Sequence, residues 1–143
     1  DAPVLEAVAV GDSLLAWRTP SGQGTFPVTS LGDMPPYPFL VSTLKSCNAN
    51  LPTQTARDRV QLPYGDTYLF LMTDALGRWY LRELHEGREP WRQLLDLKDQ
   101  PAFARWAEDK REHGHLQNDD LTLIIVRVTV EGEQGSHATA QTG

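Results

Sequence analysis

The chain has little of several residue classes that mark whole groups of proteins. It contains a single cysteine, Cys47, so no disulfide can form within it, which favours a reducing, cytoplasmic setting. Its formal net charge is −6 and its lysines and arginines form no cluster, which argues against a nucleic-acid partner. No apolar run approaches the roughly 20 residues that span a bilayer, so we expect no membrane partner either.

What remains is enough for one modest domain. The chain has 143 residues, and 40% of them are hydrophobic, so it can bury a core. We expect the domain to occupy residues 1–130. Residues 131–143 are rich in Gly, Glu, Gln, Ser, Thr and Ala, and this composition predicts a disordered polar tail.

Short apolar segments predict strands on both sides of a helical region. They lie at residues 4–10, 14–17, 59–62, 68–72 and 121–130. The last segment is rich in β-branched residues and apolar on both faces, so we expect it to be a central strand rather than an edge strand.

The middle of the chain has helical periodicity. Leu76, Tyr80 and Leu84 recur every four residues, which predicts a helix that begins after the 68–72 strand and ends near Gly87. Further helices are predicted from Pro90 and after residue 99, where an aspartate can cap the third one. Strands, then helices, then one strand indicate an α+β fold rather than alternating βαβ units.

Three aspartates occupy turns at the ends of predicted strands. Asp12 follows the first strand, Asp74 separates a strand from a helix, and Asp119 precedes the last strand. Carboxylates that meet at one sheet end repel each other unless a cation lies between them. Oxygen ligands of this kind suit Mg²⁺ or Mn²⁺.

Taken singly, each aspartate also has a simpler explanation. Asp12 is a common turn former, Asp74 can serve as a helix N-cap, and Asp119 with Asp120 can form a polar turn. A free-standing α+β interaction module with merely structural acidic turns therefore stays open.

Together and in this order, the three motifs resemble those of the type 2C family of metal-dependent protein serine/threonine phosphatases. The family has a Gly-Asp-Ser turn in a β-hairpin, a Ser/Thr-Asp-Gly-Leu turn and an Asp-Asn-x-Thr/Ser sequence. Their counterparts are residues 11–13, 73–76 and 119–122. The resemblance covers residues 4–130, and its looser part, residues 17–57, looks more like a bacterial subgroup.

The resemblance implies a β-sandwich flanked by helices, with two or three Mn²⁺ or Mg²⁺ ions at one end. A metal-activated water would hydrolyse phosphoserine or phosphothreonine in a phosphoprotein substrate. Asp74 and Asp119 would bind one metal, and Asp12 would lie near an additional, weaker metal position. The neighbours Thr73, Ala75 and Asp120 would not be ligands themselves.

Two residues depart from the family pattern, and one family segment has no counterpart. Ala75 replaces a glycine and Asp120 replaces an asparagine, which leaves room for a non-catalytic regulatory or interaction module with this fold. The family's Asp-Gly-x-Gly-Gly segment, whose aspartate bridges both metals, is missing, since the chain has no Asp-Gly dipeptide. We therefore expect this chain to be the C-terminal half of a catalytic domain, inactive alone and completed by the N-terminal half.

The residue that grips the substrate phosphate cannot be assigned from the sequence. Arg18, Arg57, Arg59 and Arg78 are available, and each is better explained as a solvated or structural arginine. The predicted helices can shield only one side of the sheet. We therefore expect an uncovered apolar face on the other side, where the N-terminal half or another copy would bind.

Overall fold

The computed structural model describes residues 3–132. The prediction of a disordered tail falls almost entirely on residues 133–143, which lie outside the described residues. No helix in the described part of the chain is long and apolar enough to cross a membrane.

The chain forms strands, then helices, then a final strand, as the sequence predicts. The strands are Val4–Ala9 (β1), Leu14–Thr19 (β2), Gly22–Phe26 (β3), Ala56–Gln61 (β4), Gly65–Met72 (β5) and Leu123–Val130 (β6). The α-helices are Leu51–Gln54 (α1), Asp74–His85 (α2), Pro90–Asp96 (α3) and Gln100–Glu112 (α4). Short 3-10 turns occur at Leu31–Asp33 and Lys45–Asn48. The α+β class is confirmed.

The strands form two antiparallel sheets. One has four strands in the order β3-β2-β5-β6, and the other pairs β1 with β4. The hairpin that the family resemblance implies around residues 11–13 is not formed in the described residues, because β1 and β2 belong to different sheets. Both edges of β2 are already paired, with β3 and with β5, so this turn carries the chain from one sheet to the other.

The final strand is not central in the described part of the chain. β6 pairs with β5 over eight residues, from Gly65↔Val130 to Met72↔Leu123, and no strand among residues 3–132 pairs with its other edge. The sequence-based expectation is wrong on this point. An apolar sequence reports what a strand's side chains prefer, and it does not reveal how many strands pair with its backbone.

One face of the four-stranded sheet packs against the helices. Leu14, Ala16, Phe70 and Met72 from this face join buried residues of α2, α3 and α4 in the core. The helical predictions are confirmed where this core forms. The core helix residues are Leu76, Trp79, Tyr80, Leu81, Trp91, Leu94 and Ala107.

Local signals set the helix ends. Gly87 follows α2 with a φ of +75°, a conformation that glycine adopts without steric penalty. The Asp99 carboxylate accepts a hydrogen bond from the Ala102 backbone N–H at 2.7 Å, so it caps α4 as its position predicts.

The opposite face of the sheet is only partly covered. β1 borders it, and a groove of about 490 Å³ runs between β1 and the ends of β2, β5 and β6. Leu71, Ile124 and Val126 on this face remain 42%, 53% and 39% exposed. The expectation that the helices shield only one side is confirmed for the described residues, and we call this surface the open face.

Candidate metal site at one end of the sheet

The register of the four-stranded sheet brings the three acidic turns to the same end. Leu14, Met72 and Leu123 lie side by side on β2, β5 and β6. Asp12 precedes Leu14 by two positions, and Asp74 follows Met72 by two positions. The loop that contains Asp119 leads into β6 at the same sheet end. The strand-end arrangement expected from the sequence is therefore present in the backbone.

Thr73 connects two of these turns. Its hydroxyl donates a hydrogen bond to the Asp120 carbonyl at 3.1 Å and accepts one from the Thr122 N–H at 3.1 Å. The Thr73 N–H also donates to the Thr122 carbonyl at 3.3 Å. The end of β5 and the loop before β6 are thus held together just before the chain enters α2.

The Asp119 loop is also attached to α4. The Arg111 guanidinium donates to the Asp119 carbonyl at 2.6 Å, and the Asp120 N–H donates to the Asp119 carboxylate at 2.7 Å. Arg111 thus ties the backbone of this loop to α4. The loop's backbone is therefore anchored from two sides, while the Asp119 and Asp120 side chains lie on the exposed surface.

Asp74 is the first residue of α2 and is partly buried, and Thr73 occupies the N-cap position. The alternative interpretation of Asp74 as the N-cap is therefore wrong by one residue. A carboxylate in the first helical turn is still favoured by the helix dipole, whether or not it binds a metal.

Ala75, which replaces the family's glycine, is only 2% exposed. No non-glycine residue among those described has a positive φ, so the backbone here does not require glycine. The Ala75 methyl group packs in the core.

The turn before β2 is overlaid by a loop. Gly11 has a φ of +101°, and a Cβ on it would lie 3.7 Å from the Phe39 carbonyl oxygen. Asp12 next to it is partly buried. The loop that carries Phe39 belongs to the region where the family resemblance is loosest, and it lies against the acidic end of the sheet.

The donor chemistry of the three aspartates suits Mg²⁺ or Mn²⁺, but their number and spacing do not complete a site. Within residues 3–132, no three His, Cys, Asp or Glu side chains are grouped closely enough to hold a metal ion. Carboxylates that lie near each other without a cation are expected to stay apart. The three aspartates therefore fit such a metal in the chemistry of their oxygen donors.

Comparisons with protein-family models, with curated proteins and with solved structures found no match.

The arginines that could bind a substrate phosphate differ in their surroundings. Arg18 donates to the Thr19 and Gly22 carbonyls at 2.7 and 2.9 Å and lies 5.4 Å from the Trp91 ring centroid, so it has a structural role. Arg59 forms an exposed ion pair with Glu6. Arg18 therefore has partners within the fold, and Arg59 lies on the exposed surface.

Arg78 is placed differently. It follows Asp74 by one helical turn, so the two side chains lie on the same side of α2. Its guanidinium approaches the Pro35 carbonyl at 3.5 Å, which places it between α2 and the loop near the acidic end. The i, i+4 spacing of Asp74 and Arg78 is visible in the sequence, and it is the signal that distinguishes this arginine from the others.

Proposed function

We propose that this chain is part of a type 2C-like, metal-dependent protein serine/threonine phosphatase and provides one side of its metal site. The observation that carries the proposal is the strand register that brings Asp12, Asp74 and Asp119 to one end of a single sheet. The antiparallel order of the strands places the start of β2, the end of β5 and the start of β6 at one end. A shared metal site would explain why each of the three turns at that end carries an aspartate.

In this proposal Asp74 and Asp119 are the ligands of one Mn²⁺ or Mg²⁺ ion, and Asp12 lies near a further, weaker metal position. Bound metals supply a water that is nucleophilic near neutral pH, and they orient the phosphate. Thr73 and Arg111 position the Asp119 loop through the hydrogen bonds described above. Arg78 is the cation on this chain best placed to attract a phosphoserine or phosphothreonine side chain.

The open face supports the second part of the proposal, that the catalytic domain needs further strands. A sandwich buries the inner face of each sheet, whereas here Leu71, Ile124 and Val126 remain substantially exposed. The two-stranded β1-β4 sheet is too small to cover a four-stranded one. The N-terminal half of the catalytic domain, with its metal-bridging aspartate, would cover this face and complete the ligand set.

The direct test is an assay of phosphothreonine-peptide hydrolysis with Mn²⁺. We expect no activity from this chain alone. Activity should appear when it is combined with any segment that its gene encodes ahead of Asp1, and EDTA should remove it. Full metal-dependent activity from the 143-residue chain alone would contradict the proposal that it is incomplete.

A non-catalytic regulatory module with the same fold is the second candidate. It is favoured by Asp120, whose extra negative charge replaces a neutral amide beside the proposed ligands. Calorimetric titration of the combined domain with Mn²⁺ separates the candidates. Metal binding with hydrolysis supports the enzyme, and stable folding with neither supports the regulator or a module whose acidic turns are only structural.

A further inference from the structure

The free edge of β6 differs from the other free strand edges in the described residues. Natural proteins protect such edges with charges, prolines, bulges or short strands. β3 has only five residues, two of them glycine, and β4 carries three consecutive charged residues at Arg57–Arg59. β1 has six residues with Glu6 in the middle.

β6 has little of this protection. It runs for eight residues with no proline, its ladder with β5 is continuous, and Arg127 is its only charged residue. Ile124 and Val126 add exposed apolar side chains beside the unpaired backbone groups. A long, apolar edge strand of this kind readily pairs with another strand.

We propose that the free edge of β6 pairs antiparallel with β6 of a second copy of this chain, around a two-fold axis at Val126. Such a contact is self-complementary and closes as a dimer. It joins the two four-stranded sheets into one eight-stranded sheet. The inference does not depend on the proposed phosphatase function.

The sequence of β6 suits this register. With Val126 opposite its own copy, Ile124 lies opposite Val128 on the open face. On the helix-covered face, Arg127 lies opposite Ile125. A two-fold axis at Arg127 would instead set two arginines directly opposite each other, and directly opposed like charges destabilise a sheet. An axis at Val128 would pair only the last part of the strand.

In this register, each face of the sheet in one copy continues as the same face in the other copy. Residues on the open face of one copy pair only with open-face residues of the other, so the apolar surface of Leu71, Ile124 and Val126 continues across the axis. Leu123 and Ile125 stay on the face that packs against the helices. No side chain has to change sides for the dimer to form.

The test is the mass of the intact chain in solution, by analytical ultracentrifugation over a range of concentrations. We expect a monomer–dimer equilibrium for the wild type. Val126→Lys and Val126→Glu should each be monomeric, because each sets two like charges opposite each other at the axis. An equimolar mixture of the two variants should recover the dimer mass, since lysine then faces glutamate.

Leu71→Lys is the matched control, because it adds the same charge to the open face one strand away from the edge. It should leave the dimer intact. A dimer that Leu71→Lys also dissociates, or one that the Lys/Glu mixture does not restore, would show packing through the open face and overturn the proposal. A wild-type monomer at every concentration, or an open-ended series of larger assemblies, would overturn it as well.

Amide hydrogen exchange of the wild type provides a measurement that needs no variant. Protection in β6 should rise with protein concentration while protection in the charged edge strand β4 stays constant. Unchanged protection of β6 would contradict the proposed pairing, even if the Val126 variants fail to fold.

Discussion

The Thr73 hydroxyl donates a hydrogen bond to the Asp120 carbonyl at 3.1 Å, across 47 residues of sequence. It accepts a second one from the Thr122 N–H. One side chain therefore joins two of the three acidic turns, and its removal tests how rigidly they are held.

Thr73→Val should lower the free energy of unfolding by about 1–2 kcal/mol, because it removes both hydrogen bonds while keeping the shape of the side chain. Amide exchange at Thr122 should accelerate, since its N–H loses its acceptor. Thr73→Ser retains the hydroxyl and is the control. Unchanged stability of Thr73→Val, measured by urea unfolding, would show that these hydrogen bonds do not stabilise the connection between the two turns.

Asp74→Asn and Asp119→Asn should abolish Mn²⁺- or Mg²⁺-dependent phosphatase activity of the completed catalytic domain. Each substitution removes a ligand charge from the proposed water-activating metal. Asp12→Ala should weaken metal binding at the main pair less, although turnover falls. Activity and Mn²⁺ affinity are the measurements, and near-normal turnover in either asparagine variant would contradict the ligand assignment.

The same aspartate variants should fold. None of Asp12, Asp74 and Asp119 is fully buried, and the helix dipole favours the Asp74 carboxylate by at most about 1 kcal/mol. Each variant should therefore keep most of the stability of the metal-free chain. Thermal unfolding in EDTA measures this. Asp66→Asn is not a suitable control, because the Asp66 carboxylate accepts a hydrogen bond from Thr129. Asp33 is not a suitable control either, because its carboxylate accepts a hydrogen bond from the Ser30 hydroxyl.

Gly77→Ala should destabilise the protein, because α2 lies very close to β2 at this point. A Cβ on Gly77 would be 2.9 Å from the Leu14 Cβ, which is too short for two carbon atoms. Overpacking of this kind costs about 1–3 kcal/mol, whereas alanine in a helix is favoured over glycine by about 1 kcal/mol. We expect a net loss of about 1 kcal/mol in urea unfolding.

Gly22→Ala is the matched control for this prediction. A Cβ on Gly22 meets no atom within 4 Å, so the substitution should be close to neutral. A stabilised Gly77→Ala variant would mean that helix propensity outweighs the contact with Leu14.

Glu83 should contribute stability that depends on pH. It is only 5% exposed and forms two hydrogen bonds with Arg88, at 2.7 and 2.6 Å. The bonded Arg88 guanidinium lowers the pKa of Glu83 below its ordinary value of 4.5, against the effect of burial. The folded protein therefore binds this proton less readily than the unfolded chain. The stabilisation is complete above about pH 4.5 and is lost as the pH falls through the folded-state pKa.

Glu83→Gln should lower the free energy of unfolding at neutral pH by about 1.5–3 kcal/mol, the range for hydrogen bonds to charged groups. The difference from the wild type should shrink as the pH falls below 4.5. Glu86→Gln removes the exposed partner of the same arginine and should change stability by less than about 1 kcal/mol. A constant difference between wild type and Glu83→Gln from neutral to acidic pH would contradict the assignment.

Sequence patterns predicted the features of the fold that depend on residues near each other in the chain. Asp99 caps α4 and Gly87 follows the end of α2, because capping and a positive φ are decided within a few residues. Hydrophobic periodicity likewise placed the buried side of α2. The motif spacing also indicated that three aspartates lie at strand ends, and the structure places them there.

The tertiary structure decided what depends on pairing between distant segments. Three features had no distinct local signal in the sequence. β1 and β2 belong to different sheets, β6 lies at an edge in the described residues, and Glu83 is buried against Arg88. The convergence of Asp74 and Asp119 on one sheet end likewise depends on the β5–β6 register. Local conformation is selected by the energies of a few neighbouring residues. Strand partners and register are selected by the burial of the whole sheet, to which every strand contributes at once.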